Sequence, residues 1–277
     1  MANYVSTRAI YAQLALQHGP LLVDARSEQD VDRVPRMIPG ALRLARPDAP
    51  HVGHQLPLQK QIVLYSSSGH DLAPLANELN ARGGRVCIMQ EGLEGWIADE
   101  LPTTRVRPEL GVPGSSHWVT RERPKIDRLA CPWLIRRFID PEATFFYVPA
   151  TRVRAEAAGL GAQPYDIADV TFSHRGSKCS FDAFLDEFDL HDPKLDELAQ
   201  IVRAADTGKL QESREAPGLL AISLGLSASI ADDQLLLEQA MMVYDALYAW
   251  CKTAHDETHS WPQKIQSGPA NAAQNAS

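Results

Sequence analysis

Two groups of residues in this chain have the types and spacing to do chemistry. The first is the run Ser66, Ser67, Ser68, Gly69, His70 and Asp71, which follows the apolar segment Gln61-Ile62-Val63-Leu64-Tyr65 and precedes helical periodicity over residues 72–82. A loop of small residues between a buried strand and a helix aims several backbone N–H groups at one point, and the helix N-terminus adds its positive end. Such a cradle suits an anion or a nucleophile. Its tip, Ser66, carries only a hydroxyl, a poor nucleophile near neutral pH, where a cysteine would ionise. Asp71 puts a negative charge at the mouth and works against an anion, and His70 offsets it only when protonated.

The second group is His174 and Cys179, with Asp127, Asp182 and Asp206 as partners. Imidazole and carboxylates hold a divalent metal such as Zn, Mn or Fe, and an added thiolate favours Zn. His174, Asp127 and Asp206 each fall at the predicted end of an element, where ligands converge in α/β folds. The spacing of His174 and Cys179 is by itself a weak signal, and a structural His held by a carboxylate fits the same residues. Nearby run Arg121, Arg123, Lys125, Arg128, Arg136 and Arg137, opposed within that stretch only by Glu122 and Asp127. Arginine binds oxyanions through planar, bidentate contacts. Arg121, Arg123, Lys125, Arg128 and Arg175 form the candidate anion-binding set; a salt-bridged, solvated face is the competing reading. Cys131 reads as a small core residue. Tyr244, Asp245 and Tyr248 lie within about a turn and could face the same pocket.

The elements that would position these groups differ between the two halves. The first half alternates strands (residues 21–24, 62–65 and 86–89) with helices (7–17 and 72–82), which implies a parallel α/β sheet. Ser6 is placed to cap the first helix, and Gly83-Gly84 ends the helix at 72–82. Residues 105–116 hold two prolines and two glycines without periodicity, and the domain boundary belongs there. The second half opens with strands near 117–120 and 144–148, a helix over 127–139 and a strand at 170–174. It then turns helical at 181–188, 194–205, 217–230 and 233–252. The expected fold is α/β, a parallel sheet flanked by helices followed by a mostly helical α+β domain. The expected domains are 1–105, a linker at 106–115, 116–256 and a flexible tail at 257–277.

The 277 residues suffice for two domains, and 44% hydrophobic with 22% charged residues is ordinary for a globular protein. The net charge of −8 divides into −1 over residues 1–105 and −7 over 106–277, which disfavours nucleic acid as a partner. The four cysteines, Cys87, Cys131, Cys179 and Cys251, make no C-x-x-C pair and no disulfide scaffold. Cys87, in an apolar strand, reads as buried and inert. No signal peptide and no apolar run of 18 residues is found, so the expectation is a cytoplasmic protein without a membrane span.

Four motifs in order resemble the rhodanese family: Leu22-Val23-Asp24-Ala25-Arg26 with Glu28, then Ile38-Pro39-Gly40-Ala41 with Met37 where the family has His, then the loop 65–69, then Glu91-Gly92-Leu93-Glu94-Gly95-Trp96. The family's sulfur-carrying Cys aligns with Ser66, so the resemblance implies the fold without ordinary sulfur transfer; Asp71 stands where active members often carry Arg. In the second half, His117-Trp118-Val119-Thr120-Arg121, Cys131-Pro132-Trp133-Leu134, Phe172-Ser173-His174-Arg175-Gly176, Ile201-Val202-Arg203-Ala204-Ala205-Asp206 and Tyr244-Asp245-Ala246-Leu247-Tyr248 resemble the C-terminal domain of the chromate-resistance protein ChrB. That family joins this domain to a DNA-binding module, which the rhodanese-like half replaces here. The resemblance implies an accessory or sensor protein of chromate or oxyanion stress, with a metal ion or small oxyanion as ligand and a homo-oligomer left open. A metal-dependent, redox-capable enzyme around His174 is the second expectation, and a sulfurtransferase the third.

Overall fold

The computed structural model describes residues 2–14, 19–44, 56–69, 71–107 and 116–254. His70, most of the expected linker and the expected tail lie outside the described residues.

The first half contains β1 (Asn3–Val5), α1 (Thr7–Gln13), β2 (Leu21–Asp24), α2 (Glu28–Arg33), β3 (Arg36–Met37), β4 (Leu42–Arg43), β5 (Gln61–Tyr65), α3 (Ala73–Ala81), β6 (Arg85–Met89), α4 (Gly92–Ala98) and β7 (Thr104–Arg105). Five strands form a parallel sheet in the order β1-β6-β5-β2-β4, and β3 pairs antiparallel with β7. Ser6 and Ser27 cap α1 and α2, each accepting a backbone N–H three residues on. The pleat sorts the side chains. Leu21, Val23, Ile62 and Leu64 pack with Leu79 of α3 on one face, whereas Leu22, Val63 and Tyr65 belong to the core that the first half shares with the second.

The second half contains β8 (His117–Arg121), α5 (Asp127–Leu134) continued by a π-helical turn (Ile135–Ile139), β9 (Thr144–Val148), α6 (Val153–Leu160) and β10 (Gln163–Pro164). Then come α7 (Ser180–Phe188), α8 (Pro193–Asp206), α9 (Ala216–Ser229) and α10 (Asp233–Ala249), the last continued by a π-helical turn (Trp250–Ala254). A short parallel sheet, β10-β8-β9, backs the helices. Pro132 sits inside α5 and cannot donate to Arg128 O; the Tyr165 hydroxyl donates to that carbonyl instead, at 3.3 Å. One apolar core runs through both halves, joining Leu22, Ile38, Tyr65 and Trp96 to Trp118, Trp133, Phe138, Phe184 and Tyr248.

Two expectations about local structure need correcting. Residues 170–174 do not form a strand. Asp166 and Asp169 adopt φ of 52° and 55°, so the chain turns twice just upstream and leaves only single bridges, Tyr165 to Phe172 and Arg175 to Lys178. Cys87 is half-buried rather than buried, although burial still raises its thiol pKa. Helix α6 was not foreseen; it buries only Val153 and Ala157, too narrow a stripe to stand out as periodicity.

Candidate functional site

Asp127 is aimed by an unusual piece of backbone. Ile126, just before it, has φ of 40° and ψ of −105°, costly for a β-branched residue. Two helices hold it there: Ile126 N donates to Ser223 Oγ of α9 at 2.9 Å, and the Tyr244 hydroxyl of α10 donates to Ile126 O at 2.7 Å. The chain thereby turns sharply into α5, and Asp127, at its first position, is 2% exposed.

Around Asp127 stand His174 from the loop before α7 and Asp206 from the last position of α8. His174 Nε2 lies 3.2 Å from Asp127 Oδ2 and 3.2 Å from Asp206 Oδ2, and the three donor atoms all lie within 4.8 Å of one another. Asp166, unforeseen from sequence, reaches the same imidazole at 3.4 Å. Its Oδ1 accepts from Ser180 Oγ at 2.9 Å, and its Oδ2 pairs with Arg121 at 2.6 Å and Arg128 at 3.2 Å. Ser180 N, at the start of α7, donates to Asp127 Oδ2 at 3.3 Å. The side chain of His174 is 42% exposed, so the group opens to solvent on that side.

Crowding around one imidazole shifts Asp166, Asp206 and His174. Burial, then the charge of Asp127, pushes Asp206 up to about 7. Burial and Asp127 likewise raise Asp166, with Arg121 opposing. The hydrogen bond to Asp127 raises His174 to about 9, against the lowering effect of its own burial, and Asp206 and Asp166 add to the rise. Such mutual repulsion is what a bound cation relieves. Donor atoms about 2.1 Å from a metal and 90–110° apart lie about 3.0–3.4 Å from each other, and the two 3.2 Å separations fall in that range.

Other expected members lie elsewhere. Cys179 is fully buried, with Sγ 3.5 Å from Asp182 Oδ2 while its N–H donates to the same oxygen at 3.0 Å; it serves the start of α7 and is not among the three clustered donors. Burial first, and Asp127 next, push its thiol pKa up. Asp182 pairs with Arg203 at 3.3 Å. Cys131 is a buried core residue. Tyr248 is buried in the aromatic core, whereas Asp245 accepts from Trp133 and Arg137.

The five candidate anion ligands are not assembled into one pocket. Arg121 and Arg128 converge on Asp166 beside the cluster. Arg123 donates to the carbonyls of Ser227 and Ile230 at the end of α9, Arg175 pairs with Glu187, and Lys125 is exposed. Arg136 pairs with Glu238, and Arg137 with Asp245.

At the loop of the first half, Ser66 Oγ accepts from Gly69 N at 2.9 Å, so the hydroxyl occupies one of the cradle's own donors. The N–H groups of Leu93 and Glu94, in the first turn of α4, donate to the carbonyls of Ser66 and Ser67 at 2.9 Å. Gly92 permits this approach: its φ is 58°, and a Cβ there would meet both carbonyl oxygens at 2.6 Å. Asp71 is exposed.

What local sequence missed is Asp166, Ser180 and Ser223. Ser180 lies in the stretch Cys179-Ser180-Phe181-Asp182, which also resembles the ChrB C-terminal domain, but nothing in that stretch gives it a role, and no motif marks Asp166 or Ser223. Each is one polar residue in an ordinary stretch, brought to the site by the pairing of β10 with β8 or by packing of α7 and α9.

Comparison with known proteins divides the chain in the same way. Residues 8–99 match the family described as rhodanese-like domain, and residues 118–251 match the family described as ChrB, C-terminal domain. Protein ChrB of Cupriavidus metallidurans is 39% identical over 132 residues, covering 47% of this chain and 39% of that protein's length. Among solved structures, a rhodanese-related protein from Thermoplasma volcanium is 14% identical, covering 36% of this chain and 96% of that one, with a TM-score of 0.32. A thiosulfate sulfurtransferase from Pseudomonas aeruginosa is 24% identical, covering 38% of this chain and 20% of that one, also at 0.32. The chain thus carries a rhodanese-like domain followed by a ChrB C-terminal domain.

Proposed function

We propose that the ChrB-type domain binds a divalent metal ion through Asp127, His174 and Asp206, in a protein that serves chromate or oxyanion resistance, with the rhodanese-like domain acting as a non-catalytic module. The observation that carries this reading is the 3.2 Å approach of both carboxylates to one imidazole nitrogen, with the buried Asp166 adding a third carboxylate. Two oxygens and one nitrogen suit Mn, Fe or Zn. Three protein ligands leave coordination positions for water or an exogenous ligand, and the exposed side of His174 gives access. The test is metal analysis of protein purified without chelator, followed by titration of the stripped protein with Mn²⁺, Fe²⁺ and Zn²⁺. About one equivalent bound by the wild type and none by Asp127→Asn supports the reading; no saturable binding of any of the three removes it.

Arg121 and Arg128 favour a second reading, that an oxyanion docks beside the metal and is acted on there. Both guanidiniums lie at Asp166, within the same hydrogen-bonded group as the imidazole. Chromate is a tetrahedral dianion, and two arginines beside a cation would suit it. Calorimetry with chromate and sulfate, with and without metal, separates binding at this site from binding elsewhere.

A further inference from the structure

Helices α5 and α8, which carry two of the proposed metal ligands, and α7, whose first residue bonds Asp127, have their other ends against the rhodanese-like domain. Helix α8 ends at Asp206; its N-cap, Asp192, accepts a hydrogen bond from the Tyr11 hydroxyl of α1 at 2.8 Å. Helix α5 begins at Asp127, and its π-helical continuation presents Phe138 O to Gly40 N at 2.7 Å. Gly40 has φ of 72°, and a Cβ there would meet Arg137 O at 2.6 Å, so the two backbones touch. Helix α7 begins at Ser180, which bonds Asp127 and Asp166. At its far end, Asp189 pairs with Arg36 at 2.5 Å and Phe188 O accepts from Thr104. Lys252, just beyond α10, donates to the Tyr11 and Leu14 carbonyls at 3.2 and 3.4 Å.

We infer that the rhodanese-like domain is a positioning platform: by holding the far ends of α5, α7 and α8 it fixes the separation of the metal ligands at their near ends. This rests on the metal reading above. Magnitudes make the platform matter. Helix α8 has 14 residues, about 21 Å at 1.5 Å per residue, so a tilt of about 5° moves its end by about 2 Å. A metal site tolerates only about 0.5 Å. The loop around Ser66 takes no part in these contacts, so this role needs no nucleophile.

Coupling of this kind is reciprocal: if the platform sets metal affinity, metal must tighten the platform. The experiment uses the full chain and Zn²⁺, which binds nitrogen and oxygen sites more tightly than Mn²⁺ or Fe²⁺. Tyr11→Phe and Arg36→Gln should each weaken Zn²⁺ binding about tenfold, in the range for groups that support ligands. Ser66→Ala and Arg8→Gln, changes on the same domain away from the three helices, should leave it unchanged. In the wild type, Zn²⁺ should slow hydrogen exchange at the Gly40 amide, a readout that needs no variant. If the wild type binds Zn²⁺ but both platform variants bind it equally well, or Gly40 exchange does not change, the inference falls and the metal reading stands. If the wild type binds no Zn²⁺, both fall.

Discussion

The loop at Ser66 and the cluster at Asp127 are built alike and have opposite contents. Each places polar groups where a helix begins behind a loop. At Ser66 one loop N–H, that of Gly69, is taken by the Ser66 hydroxyl, and the loop carbonyls of Ser66 and Ser67 accept from Leu93 N and Glu94 N of α4. Its acid, Asp71, is exposed and solvated. At Asp127 three carboxylates crowd one imidazole, Asp127 and Asp166 buried and Asp206 partly so, with Arg121 and Arg128 both drawn to Asp166. A strained turn that forces acids together is the stronger candidate site of the two.

The contrast breaks most sharply by exchange of single groups. Asp127→Asn should reduce divalent-metal affinity by at least about 100-fold, since it removes a ligand rather than a supporting contact, while Ser66→Ala should change nothing in the same titration. Sulfur transfer from thiosulfate to cyanide should stay at background in the wild type and in Ser66→Cys. It should rise only when Ser66→Cys is combined with Asp71→Arg, which restores the thiol and the cationic mouth together. Activity in the wild type would show that the reading of Ser66 is wrong.

Smaller effects sharpen the comparison. Ser223→Ala leaves the buried Ile126 N–H without its partner and should cost about 1–3 kcal/mol of stability, read as a lower denaturation midpoint. It should also weaken metal binding, because the turn that aims Asp127 relaxes. The smallest effect is on pH. Arg36 and its hydrogen bond hold Asp189 below its ordinary value of 3.8. A carboxylate with a depressed folded-state pKa stabilises the folded form above its unfolded value and loses that contribution as pH falls through the folded one. The contact between α7 and the rhodanese-like domain should therefore hold at neutral pH and weaken only below about pH 4, seen as faster exchange at the far end of α7.

Much of the frame was legible in the residues. The parallel sheet followed from short apolar runs alternating with helical periodicity, and Ser6 and Gly83-Gly84 marked helix ends by local chemistry alone. Asp127 and Asp206 stand out because type and position suit an element end, whereas His174 stands out by type alone, since the strand expected to end at it does not form. Asp166 does not stand out, since its carboxylate gains meaning only when β10 pairs beside β8 and two arginines from other segments close on it. Cys179 was misplaced for the converse reason. A cysteine five residues from a histidine looks like a ligand, but the side chain turned inward to start α7.

By itself, the sequence determined that a hydroxyl rather than a thiol stands at the first loop and which side chains could hold a cation in the second domain. A hydroxyl cannot carry a persulfide, and carboxylates with imidazole are hard, cation-seeking donors, whatever the fold. Only the tertiary structure decided which of those donors meet, which arginines are already engaged, and that the helices delivering them rest on the rhodanese-like domain. These are matters of distance between residues tens to more than a hundred positions apart, set by packing of a shared core and by a strained turn at Ile126 that no local pattern announces.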